Sequence, residues 1–218
     1  MLNNIKKYKI IGIIGEDRKE LCNTLKKENK ITDVNITKSL KELKLLDEEE
    51  LSELLKQVGL NIDVLDRKKN NLSESDILKI NFAYELYLDK DIFVLNDTLD
   101  IFDKKNKTKF FKILLKLKKY NKKTIFISSS DINNIFQIVD DIIYIDKENY
   151  YYDNKYDIFN NKNINQIPDI IYFVSLVKKK HPSVSYKDEV NELIKELYRE
   201  LRWYYALYVN IFLWWNKF

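Results

Sequence analysis

Short apolar runs of β-forming residues alternate with longer stretches whose apolar residues recur at helical spacing. The clearest run, Ile92–Leu95, is bounded by Asp91 and by Asn96-Asp97, and a strand apolar on both faces is one covered on both faces, as in a parallel sheet. Tyr8–Gly15, Thr124–Ile127 and Ile142–Ile145 read as further buried strands, and Tyr150–Tyr152 as one arm of a hairpin around Lys147-Glu148-Asn149. Between them the helical period predicts helices at Lys19–Glu28, Ile36–Leu46, Asp47–Val58, through Ile77 to Leu88, at Lys104–Lys119 and, briefly, at Asn133–Val139. Gly59 stands where a helix C-cap is expected. Strands alternating with helices predict a parallel sheet with right-handed crossovers, the strands of Ile10 and Phe93 being neighbours. Asn96-Asp97 then falls at a strand's carboxyl end, where ligands bind in open α/β sheets.

Composition narrows the chemistry. A chain of 218 residues suits one α/β domain with a small appendage. Three glycines and two prolines favour long helices and weigh against sites built on glycine loops. The net charge of +4 reads as spread through mixed-sign helices without a one-sided basic stripe, so no nucleic-acid partner is expected. Cys22, the single cysteine, excludes an internal disulfide framework and fits a reducing compartment. Met1-Leu2-Asn3-Asn4 leads into charge rather than a signal peptide's apolar region, which gives a cytoplasmic expectation. His181 is the only histidine, so neither a metal cluster nor a Ser-His-Asp or Cys-His set can be assembled. Phosphoryl chemistry or none remains.

Leu72-Ser73, a helix, the strand Ile92–Leu95, Asn96-Asp97 and Asp103 follow one another, without an insertion, in the spacing LSGGQ, helix, strand, DEPTSGLD. This stretch resembles the ATP-binding cassette family. Thr124–Asp131 (TIFISSSD) is similar to its switch segment TVIISTHD, and Ile167–Lys180 to the C-terminal extension of energy-coupling-factor ATPase subunits. The resemblance implies a P-loop NTPase (RecA-like) parallel sheet flanked by helices over residues 1–160, with a helical subdomain at 36–90 and a helical C-terminal extension at 161–218. The family's antiparallel β-subdomain is expected to be reduced or absent, because after Lys30 the chain passes straight into ITDVNITKSLKEL.

The resemblance also implies ATP and Mg²⁺ as cofactors, and assigns positions. A phosphate loop G-x-x-x-x-G-K-[ST] needs glycines to curl round phosphates, a lysine on them and a hydroxyl for Mg²⁺. Here Gly15 keeps the first glycine, Arg18 and Glu20 stand at the others, Leu21 replaces the lysine, and Cys22-Asn23 replace the hydroxyl pair. Lys19 lies two positions early, about 200° away round a helix. Asn96 stands at the metal-holding Asp, Asp97 at the water-positioning Glu, and Ser130 at the switch His. Ser73 keeps the signature serine, but Glu74-Ser75 replace its glycines. The candidate catalytic residue is therefore Asp97, and the candidate cofactor-binding residues are Gly15, Lys19, Asn23, Asn96, Ser73 and Ser130, with no metal ligands assigned.

These departures describe a degenerate cassette subunit of a transmembrane transport system, weak or inactive in hydrolysis. Its implied partners are an ATP-competent cassette paralogue or a membrane permease, and its implied place is the cytoplasm or the inner membrane face. Two alternatives stay open: a non-catalytic interaction or regulatory protein that keeps only the fold, and a slow ATPase using Asp97. A last helix, Tyr186 to about Trp215, ends in the aromatic run Trp203–Trp215, too short to span a bilayer. That run fills the space of the missing β-subdomain, makes a dimer or partner contact, or lies at a membrane surface.

Overall fold

The computed structural model describes residues 7–29, 36–147, 149–161, 164–187, 191–200 and 202. The chain forms two compact units, Met1–Ile158 and Phe159–Phe218. The first holds a five-stranded sheet: β1 (Ile10–Gly15), β2 (Ile92–Leu95), β3 (Thr124–Ser128), β4 (Asp141–Asp146) and β5 (Asn149–Asn154). Its order is β2-β3-β1-β4-β5. Pairings among β1 to β4 are parallel, and β5 runs antiparallel to β4 as a half-exposed edge.

β1 is buried at every position, as its unbroken apolar sequence requires. The strands of Ile10 and Phe93 are not neighbours, because β3 inserts between β1 and β2. The segment Phe93–Leu95 is equally apolar on both faces, so nothing local in either strand decides which parallel neighbour it takes. Among the described residues these five strands are the only ones, so no separate antiparallel subdomain is present there.

Helices α1 (Arg18–Glu28) and α5 (Lys104–Asn121) pack on the sheet, while α2 (Ile36–Leu43) and α3 (Glu48–Gln57) pack against α4 (Glu74–Tyr87). Leu21, Cys22 and Leu25 of α1 pack with Ile11, Ile13, Val94, Phe126 and Ile143 in one core cluster. A second centre is aromatic. Phe82 meets Phe93 edge-on at 5.4 Å, and Phe110 lies 5.1 Å from both Phe82 and Phe102. α3 ends in a Schellman motif: Gly59 at φ +73 donates to Lys56 O, and Leu60 to Leu55 O.

Asn133–Val139 is not a helix. Only a 3₁₀ turn, Ile132–Asn134, forms there, because the Asp131 side chain accepts the Asn133 N–H at 2.9 Å and fixes a tight local turn. α5 also departs from the expected mixture of charges. Lys105, Lys109, Lys112, Lys116 and Lys119 are all exposed and share one helix face.

The second unit contains α6 (Asp169–Lys178) and a helix, α7, over residues 191–200. Val174, Val184 and Leu193 form its core. The helix expected from Tyr186 starts later: the Ser185 N–H donates to Glu196 at 3.2 Å, folding the preceding segment back on α7. The run Trp203–Trp215 lies outside the described residues.

Candidate functional site

Three parallel strands bring their carboxyl ends together: β1 ends at Gly15, β2 runs into Asn96-Asp97, and β3 ends at Ser128. Only Glu16 and Asp17 separate β1 from α1. Gly15 sits at φ +107, and a Cβ there would lie 1.9 Å from the carbonyl oxygen of its register partner Ile145, so only glycine fits this close approach of the paired strands β1 and β4.

Arg18, in the first turn of α1, reaches across this edge. Its Nε and Nη2 donate to the two Asp97 carboxylate oxygens at 3.0 and 3.1 Å, and its Nη1 donates to Gly15 O at 3.2 Å. This two-pronged geometry is the strong form of a guanidinium–carboxylate pair. Both side chains are largely covered, at 17% and 21% exposure. Lys19, the candidate expected to point away, instead brings its ammonium to 3.4 Å from Asp97 Oδ2. With only two residues between strand and helix, α1 begins early enough to aim its first turn at the crevice.

Asp97 occupies the left-handed region at φ +48, where Asp is among the tolerated residues, and its N–H donates to Ser128 Oγ at 2.8 Å. The Ser128 hydroxyl lies 3.0 Å from Asn96 Oδ1 and 2.9 Å from Asp97 Oδ1, with one proton to give between them. Partial burial alone would raise the Asp97 carboxyl. The Arg18 and Ser128 hydrogen bonds, with the Arg18 charge and Lys19, outweigh it and hold the group below the ordinary carboxylate range. Burial pushes the Cys22 thiol up to about 11 despite its contact with Ser128, so it stays protonated at neutral pH.

The structure thus gathers Gly15, Lys19, Asn96 and Asp97 at one edge. Asn23 is exposed on α1, and Ser130 is exposed just past β3. Ser73 is taken up by the capping box of α4, accepting from the Asp76 N–H at 3.1 Å. Two participants stand outside the sequence-derived set: Arg18 and Ser128. Arg18 and Asp97 are 79 residues apart, and no local pattern announces such a pairing. The one available hint is an arginine flanked by Glu16, Asp17 and Glu20 at a strand-to-helix turn. Beside the edge, Lys26, Asn81, Glu85, Asn96 and Thr98 line a polar cavity of about 180 Å³, below the usual size of a ligand pocket.

No protein-family model and no curated protein matches the chain. Solved structures do. The dimeric ATP-binding cassette MJ0796, in a post-hydrolysis state bound to ADP and Pi, is 17% identical over 70% of this chain and 88% of its own, with a TM-score of 0.58. CbiO1 from Clostridium perfringens, part of the ABC transporter complex cbiONQ, is 15% identical over 82% and 86%, with a TM-score of 0.57. A metal-chelate type ABC transporter in an inward-facing conformation is 12% identical over 69% and 74%, also with a TM-score of 0.57. The fold is that of an ABC-type ATPase. At such identities the likeness concerns the fold alone.

The ABC-type fold raises the question of a nucleotide and its metal, and the residues present do not fit that group. The two-residue turn leaves no loop to curl round phosphates, and Glu16, Asp17 and Glu20 add negative charge beside it. Leu21, at the lysine's position, is buried in the core. Cys22 and Asn96 offer a protonated thiol and a neutral amide where a hard divalent cation favours charged oxygen. The available carboxylate, Asp97, is held by Arg18.

Proposed function

We propose that this protein is a cassette-type subunit associated with membrane transport whose own site is weak or inactive in ATP hydrolysis. Residues 1–160 are its ATPase-type core, and 161–218 its helical extension. Its partner is an ATP-competent cassette, a permease subunit or both, which places it at the inner face of the membrane. The fold shared with transporter cassettes supports the class. The bidentate Arg18–Asp97 pair supports the loss of activity, because it engages the one carboxylate that would position an attacking water. The same pair weighs against slow hydrolysis through Asp97.

The test is phosphate release by the purified full chain with Mg-ATP, alone and beside a co-expressed intact cassette, followed by isolation from membranes. The expected result is no turnover alone and a stable complex with cassette and permease. Turnover by the chain alone that is lost in Asp97→Asn would overturn inactivity. Absence from every such complex would leave a cassette fold used as an interaction protein.

A further inference from the structure

α5 differs at its amino end from α1, α3 and α4, and shares with α2 a first turn without an acid. α1 carries Glu20 in its first turn and Lys26 and Lys27 in its last, α3 opens on Glu48, Glu49 and Glu50, and α4 on Glu74 and Asp76, each complementing the helix dipole. α5 has no acid in its first turn, which holds Lys104, Lys105 and Lys107 instead. From Lys104 to Lys123 there are ten lysines and no acidic residue, so the helix cannot neutralise itself. Lys107, Lys118 and Lys123 are used internally, on Asn134, Asp140 and Asp89.

Five of the remaining seven are ordered. Lys105, Lys109, Lys112, Lys116 and Lys119 follow steps of four, three, four and three, which keeps all five within about 40° of one line along the helix. The stripe is about 21 Å long at 1.5 Å per residue. All five side chains are exposed, and among the described residues none makes an ion pair. Like charges at these spacings destabilise a helix. Asp103, which caps the helix by accepting the Asn106 N–H at 2.8 Å, interacts with Lys105 and sits at the end rather than along the stripe.

We propose that this face of α5 docks on an anionic lipid surface. The buried face, with Phe110, Phe111, Leu114 and Leu117, anchors the helix to the protein, leaving the lysine stripe outward. Leu115, 38% exposed, and Tyr120, 70% exposed, flank the stripe on opposite sides, an apolar and an amphipathic group at the level where headgroups meet acyl chains. Lysine is a compact charge without a planar fork, suited to diffuse attraction by a fluid headgroup layer. A nucleic-acid surface calls for arginine forks and stacking aromatics. The stripe has no arginine, and its neighbouring ring, Tyr120, carries Lys119 at 5.3 Å from its centroid. This inference stands apart from the proposed transport role, since it needs neither nucleotide nor partner subunit.

The experiment is co-sedimentation of the full chain with phosphatidylcholine vesicles, with and without phosphatidylserine, across a salt series. Binding is expected only with the anionic lipid and to fall as salt rises. The triple variant Lys109→Glu, Lys112→Glu and Lys116→Glu should lose about a hundredfold in partitioning, from roughly fivefold per lysine. The control Lys27→Glu, Lys41→Glu and Lys56→Glu changes net charge equally at exposed sites and should lose far less. Circular dichroism checks folding of both variants. Equal binding to both vesicle types, equal losses in the two variants, or tighter binding to a DNA or RNA duplex than to anionic vesicles at the same salt would overturn the assignment.

Discussion

Both ends of the sheet are closed by charged side chains, and the two closures differ in what they exclude. At the amino end, Lys9 donates to both oxygens of Asp141 at 2.6 Å, Tyr152 donates to the same carboxylate at 2.6 Å, and Asp140 accepts from the Ile10 N–H and Lys118. At the carboxyl end, Arg18 and Ser128 bind Asp97. The first group joins the neighbouring strands β1, β4 and β5 at an edge where open sheets seldom bind ligands. The second spans β1 to β2 across the intervening β3, at the edge where they usually do. One device thus stabilises the fold at one end, while at the other it occupies the crevice.

The largest expected effect separates backbone from side-chain closure. Gly15→Ala forces a Cβ into the Ile145 carbonyl and should cost more than about 4 kcal/mol in urea unfolding, or abolish folding. Gly59→Ala, also at positive φ but with open space around the added Cβ, should cost only about 1 kcal/mol. Equal costs would mean that strain rather than the close approach of β4 matters at Gly15.

Next comes the amino end. Lys9→Ala strands the Asp141 carboxylate, 4% exposed, with Tyr152 as a remaining donor, and should cost about 3 kcal/mol. Arg18→Ala should cost less, about 1 kcal/mol, because both partners are about one-fifth exposed and water can replace the guanidinium. Arg18→Ala costing more than Lys9→Ala would reverse the comparison, and a double-mutant cycle with Asp97→Asn would apportion the pair.

The smallest effect is in pH. The folded-state Asp97 pKa lies below its unfolded value of about 3.9, so its contribution is complete above that value and is lost as pH falls through the lower folded pKa. The stability gap between the wild type and Asp97→Asn should therefore be flat from pH 7 to about pH 5 and close in more acidic solution. A gap that widens with acid would contradict the assignment.

Much of the sheet was legible because buried strands need unbroken apolar runs: Ile92–Leu95 matches its sequence boundaries residue for residue. α2 ends at Leu43, where the periodic pattern ran to Leu46, and Asn133–Val139 gave way to a turn because Asp131 competes locally for the backbone. The order of the parallel strands was not legible, since equally apolar strands carry no label for their neighbours. At the edge, Gly15, Asn96 and Asp97 could be placed by spacing. The partner of Asp97 could not, because Arg18 stands at a glycine's position and meets it only through tertiary packing. The direction of Lys19 is hidden for a related reason: it depends on where α1 begins, and the helix begins at Arg18. The lysine stripe of α5 is hidden in a whole-chain charge of +4, which carries no direction.

On the proposed reading, the Arg18–Asp97 pair and the two-residue turn leave no seat for a nucleotide at the carboxyl edge of the sheet. The most direct test is isothermal titration of the full chain with Mg-ATP, using an active cassette as the positive control. No saturable heat is expected up to millimolar nucleotide, whereas one-site saturable binding would contradict that reading.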